Sequence, residues 1–317
     1  MIGILLAVDD GLLQVIPGMD AERAIDGPRM TAVDYRDGLA VAAAPGEGIW
    51  VHDDGNWEQR WTGDPSSARV GPDGAIWIGT HGAQLHVSRD RGLSWEEMEG
   101  LQNVIKHRKM VVPVGHKTPY IAGVVFPKEG ELIGIAGGGA WHTRDDGRSW
   151  LEHSDGLDPM IHQLQEHPEK PDRLFATADS GVYRSDDGGF SWIQSLGGLD
   201  RSWGGSIAVL PGTPDVLLLT VARHAPGVEG ALFRSPNGGV TWTRIMLGDP
   251  PPSASDSDRG AGGDEWERMP CVTRLWDTED TAFASAGDTI WASHDKGKNW
   301  MPLATGLPPA NAIVAAL

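Results

Sequence analysis

Apolar residues in this chain come in short runs broken by glycine and aspartate, not in long helical stripes. Leu174-Phe-Ala-Thr-Ala178 is typical. A Ser180-Gly181 turn follows it, and then a strand with an aromatic, Val182-Tyr183-Arg184. The same order recurs over residues 75–87, 132–142, 217–233 and 282–291. Runs of this length between turn residues predict β-strands. The opening residues 1–8 are also apolar, but they lack a basic leader and run at once into Asp9 and Asp10. They are expected to form a strand and not a signal peptide. No apolar run approaches the ~20 residues that span a bilayer.

Each unit ends on one short motif. Ser88-Arg-Asp-Arg-Gly-Leu-Ser-Trp95, Thr143-Arg-Asp-Asp-Gly-Arg-Ser-Trp150, Ser185-Asp-Asp-Gly-Gly-Phe-Ser-Trp192 and Ser293-His-Asp-Lys-Gly-Lys-Asn-Trp300 share Ser/Thr-x-Asp-x-Gly-x-x-Trp. Ser235-Pro-Asn-Gly-Gly-Val-Thr-Trp242 replaces the aspartate with Asn237, and His52-Asp-Asp-Gly-Asn-Trp57 is a shortened copy. Glycine supplies a positive φ in a tight turn. The Asp or Asn side chain accepts backbone N–H groups of that turn. The tryptophan is large enough to pack between neighbouring units. These roles are structural.

Repeats spaced by some 40–50 residues with strand content predict propeller blades. Seven are expected in one all-β domain. They cover residues 1–26 plus 311–317, 30–63, 66–101, 119–156, 160–198, 204–249 and 268–307, with insertions at 102–118 and 250–267. Each blade reads as four antiparallel strands with the motif in the turn between the third and fourth. The first blade lacks an inner strand, and residues 311–317 form a lone strand at the other end. Pairing the two closes the ring and removes an exposed edge.

The repeated motif resembles the Asp-box, or BNR, repeat superfamily of sialidases, other glycoside hydrolases, sortilin-type receptors and photosystem II assembly factors. His167-Pro-Glu-Lys-Pro-Asp-Arg-Leu174 and its continuation to Gly189 look most like the assembly-factor and uncharacterised bacterial glycosyl hydrolase-like members. The resemblance covers nearly the whole chain and implies a fold, because activities in the superfamily differ widely. Its sialidases use an Arg-Ile-Pro element and a tyrosine nucleophile. Here Arg29 is followed by Met30 and Thr31, and the only tyrosines are Tyr35, Tyr120 and Tyr183.

Charge narrows the partners. Lys plus Arg number 26 against 44 Asp plus Glu, a formal charge of −18. That disfavours nucleic acid and anionic membrane. The single Cys271 allows no intrachain disulfide and suits a cytoplasmic location.

In a propeller the connections opposite the repeated turn usually hold the site. Residues entering the inner strands are Arg29, Arg69, Tyr120, His162, Arg201, Trp203 and Arg268. Their arginines suit a small anionic ligand, and Trp203 and Trp266 suit stacking on a sugar. Expected partners are therefore an anionic or carbohydrate ligand, or a protein. The alternative is a hydrolase or lyase at the same face, with His162 as general base and Asp264 and Glu265 as candidate carboxylates. No cofactor is implied beyond a possible divalent metal, for which His81, His107, His116, His162 and His224 are the candidate ligands.

Overall fold

The computed structural model describes residues 3–225, 227–247, 269–275 and 278–316. They form seven four-stranded antiparallel sheets arranged as the blades of a propeller. The inner strands, in ring order, are Ala312–Ala316, Ala32–Arg36, Pro65–Val70, Tyr120–Val125, Ile161–Glu166, Trp203–Leu210 and Cys271–Arg274. The first of these joins Gly3–Val8, which continues to Gly11–Val15 and Glu22–Asp26. Chain end and chain start thus share one sheet, in the register Gly3↔Ala316 to Ala7↔Ala312.

The second strand of each blade explains the short apolar runs. Leu39–Ala44, Leu174–Ala178 and Ala282–Ala286 are buried at every position. A blade covers both faces of these strands, so the one-sided alternation of an exposed sheet is absent. Many of their residues are alanine. The core is seven layers, each shared by two adjacent blades. Val125 and Leu132 of the fourth blade, for example, pack with Leu164, Leu174 and Trp192 of the fifth.

The repeated turn has the same hydrogen bonds in each full copy. In the third blade the Ser88 hydroxyl donates to Asp90 Oδ1 at 2.7 Å and accepts from the Gly92 N–H. Asp90 in turn accepts from the N–H and hydroxyl of Ser94, at 2.8 and 2.6 Å. Gly92 has φ 90°. The Ser94 hydroxyl and N–H pull the Asp90 carboxyl down to about 2. The aspartates are thus tied up in the turn.

Among the described residues one element departs from the strand pattern. Glu99–Ile105 is an α-helix inserted after the third blade, with Leu101 and Ile105 buried. Leu101, Val104 and Ile105 lie three and four apart and face the layer between the third and fourth blades.

Candidate functional site

Inner strands begin at the face opposite the repeated turns and surround a cavity of about 460 Å³ there. Its wall is built by an irregularity shared by four successive strands. Each ladder skips residues near its start: between Pro65 and Ser67, Ile121 and Gly123, Ile161 and Gln163, and Gly204 and Ile207. Such bulges leave one or two residues without a ladder partner and re-aim their side chains. The residues passed over include Ser66, Ala122, His162 and Ser206, and all four line the cavity.

Carbonyls at the bulges are capped from the preceding blade. The hydroxyls of Ser66 and Ser67 both donate to Ile121 O at 2.8 Å. Thr177 donates to Gly205 O at 2.7 Å. His162 Nδ1 faces Gly204 O at 2.6 Å. These bonds satisfy groups that the ladder leaves open.

His162 has a second contact. Its Nε2 lies 2.8 Å from Asp179 Oδ1. A carbonyl and a carboxylate only accept. Each ring nitrogen thus faces an acceptor. Held so, the ring lies 4.3 Å from Trp203, centroid to centroid, and forms one wall of the cavity with it. With both nitrogens engaged, general-base action needs one of these contacts to open.

Among the described lining residues, the two arginines are also engaged. Arg69 forms the floor, where its guanidinium reaches Asp34 at 3.1 Å and both Glu166 oxygens at 2.8 and 3.0 Å. Burial pushes the Asp34 carboxyl up against the pull of Arg69. A smaller cavity of about 110 Å³ lies beyond this ion pair. Arg29 sits at the rim and pairs with Asp9 at 3.0 Å, both well exposed.

Of the residues picked from sequence, the structure brings Arg29, Arg69, His162 and Trp203 together. Tyr120 lies elsewhere, against His116 at 4.5 Å and His81 at 5.5 Å. Arg201 is fully covered. It donates to Asp200 at 2.8 Å and to Glu229 O at 2.6 Å beneath Phe233, so it braces the sixth blade. His81 and His116 stack on each other, His107 is exposed, and His224 pairs with Val228 in a turn. Among the described residues no three His, Cys, Asp or Glu side chains gather to hold a metal ion. Asp264, Glu265, Trp266 and Arg268 lie outside the described residues.

Sequence reasoning missed Ser66, Gln163, Ser206, Cys271 and Asn311, which also line the cavity. Gln163 Oε1 accepts the Ile207 N–H at 3.2 Å. Asn311 Nδ2 donates to Asp9 and to Met30 O. Among the described lining residues there is no aspartate or glutamate.

No protein-family model matches this sequence, and no curated protein matches it. Solved structures share its fold. The GH74 xyloglucanase from Xanthomonas campestris superposes with a TM-score of 0.62 at 17% identity, over 87% of this chain and 45% of that one. An ancestral GH74 enzyme gives 0.62 at 14% identity, over 99% and 40%. YCF48 bound to D1 peptide gives 0.59 at 16% identity, over 93% and 89%. The chain spans less than half the length of either GH74 enzyme. At these identities the likeness shows the fold alone: a seven-bladed propeller.

Proposed function

We propose that this chain is an Asp-box propeller that binds a carbohydrate-like ligand at the mouth of its central channel. The observation that carries the reading is the polar ring set by the bulges. Ser66, His162 and Ser206, with Gln163 and Asn311, surround one cavity beside the Trp203 ring. Hydroxyl and amide groups around an aromatic platform suit a polyhydroxylated ring. Arg29, Arg69 and His162 each already face a carboxylate. That favours a neutral sugar over the small anion that the arginines suggest from sequence. A GH74 xyloglucanase shares the fold. A single cysteine suits action in a reducing cytoplasm.

Calorimetric titration with neutral oligosaccharides and with uronic acids tests this. A neutral oligosaccharide should bind, and Trp203→Ala should weaken it by at least about tenfold, or ~1.4 kcal/mol. Equal binding by wild type and variant, or binding of uronic acids alone, removes the reading.

A hydrolase is the second reading. Met269, Pro270 and Cys271 line the mouth, and Asp264 and Glu265 precede them in sequence. Release of reducing ends from the bound oligosaccharide, abolished by Asp264→Ala or Glu265→Ala with binding retained, would establish it.

A further inference from the structure

The connection between the third and fourth blades differs in charge from the rest of the chain. Residues 103–119 hold Lys106, Arg108, Lys109 and Lys117 and no carboxylate, in a chain of net charge −18. Three large apolar side chains at its centre are exposed: Val111 by 58%, Val112 by 47% and Val114 by 77%. Exposed apolar residues clustered in this way mark an interaction site more often than single ones do.

The segment is fastened on both sides of the valines. Arg108 pairs with Glu152 at 2.7 Å and lies over Trp141. Val111 N–H donates to Gly137 O at 2.9 Å. Met110 packs against the layer between the blades, and Pro113 is buried. The Gly82 N–H is shared by Pro119 O and the Thr118 hydroxyl. The backbone on either side of the valines is thus tied to the third and fourth blades. Lys109 and Lys117 form no ion pair among the described residues.

We infer that this segment is a docking surface for an extended acidic segment of a partner protein that carries apolar side chains. The charge complements the lysines, and the apolar side chains cover the valines. The rest of the same face argues against a broad anionic surface such as a membrane. Asp64, Asp179, Asp200 and Glu229 lie there with side chains 42–56% exposed. A flat polyanion laid across the face meets all four, whereas a narrow chain over residues 106–117 borders Asp64, in the pocket of His116 and Lys117, and leaves aside Asp200 and Glu229 at the sixth blade. The surface is separate from the channel mouth and does not depend on sugar binding there.

The test uses the full chain and a fluorescently labelled short peptide alternating Glu and Leu, read by anisotropy. Two controls are a peptide alternating Glu and Ser, and vesicles of phosphatidylcholine with phosphatidylserine. The Glu–Leu peptide should bind more tightly than the Glu–Ser peptide and weaken as salt rises. The variants Lys106→Glu/Lys109→Glu/Lys117→Glu and Val111→Ser/Val112→Ser/Val114→Ser should each lose about tenfold or more in affinity. Their melting temperatures should match wild type, because every changed side chain is exposed. Should the charge reversal disturb folding, Lys109→Gln/Lys117→Gln serves in its place. Wild-type affinity in either set of variants overturns the inference, as does tighter binding to vesicles than to peptide. So does self-association of wild type by sedimentation that the serine variant abolishes, which would make a second copy the occupant.

Discussion

His153 shows how a single buried ring sets the response to acid. It is 6% exposed, against Phe190 at 4.0 Å and His142 at 4.8 Å, and its Nδ1 is buried without a hydrogen-bond partner. Burial, and then the neighbouring His142 and Arg144, lower its pKa to about 4. Burial also lowers His142, and lowers His167 against the pull of Asp215. An unfolded histidine titrates near 6.5. Between about 6.5 and 4 the unfolded chain therefore takes protons that the folded chain refuses. Stability from these residues is complete above that window and falls as the pH falls through it. The turn aspartates act lower, since hydrogen bonds hold Asp90 near 2. Thermal melts should show a midpoint that drops steadily from pH 7 to 4.5, with a shallower slope in His153→Phe. An unchanged slope in that variant would assign the acid response to other groups. Residue partnerships of this kind were not legible in the sequence. Arg69 was visible there as a candidate anion ligand, but its partners Asp34 and Glu166 stand 35 and 97 residues away along the chain.

Among elements, the repeated turn was legible and the bulges were not, for one physical reason. The turn is local: Ser185, Asp187, Gly189, Ser191 and Trp192 fall within eight residues, and their bonds close within that span. A bulge is a mismatch of register between two strands, and neither strand's composition announces it. The helix at Glu99–Ile105 lies between these cases, since its apolar spacing is present but spans only two turns. The turn's two parts should differ in weight. Trp192 is buried, and its Nε1 donates to Gly189 O and to His153 O of the preceding blade. Trp192→Ala should cost about 3–5 kcal/mol. Asp187 organises only its own turn, so Asp187→Ala should cost about 0.5–1.5 kcal/mol. Denaturant unfolding of both variants ranks them. An Asp187→Ala variant that keeps wild-type stability yet loses sugar binding would make the turn functional and not structural.

The whole molecule depends on where the ring is joined. Six blades are continuous in sequence, whereas the first takes its inner strand from residues 312–316. Both halves of that join were expected from the missing inner strand at one end and the spare strand at the other. The strand brings Ile313 and Ala315 into the layer with the seventh blade and Val314 into the layer with the second. Asn311 adds side-chain bonds to Asp9 and Met30 O across the same seam. Removing residues 311–317 leaves the Gly3–Val8 strand, buried at every position, as an open edge facing the channel. It also removes apolar side chains from two layers at once. An exposed apolar edge strand recruits other chains, so the truncated chain should aggregate or melt well below full length. Asn311→Ala keeps the strand and should cost only about 1–2 kcal/mol for its lost side-chain bonds. The two variants together separate the strand from its fastening. If the truncated chain sediments as a monomer and melts like wild type, the ring does not need this strand to stay closed, and stability must come from the remaining interblade layers.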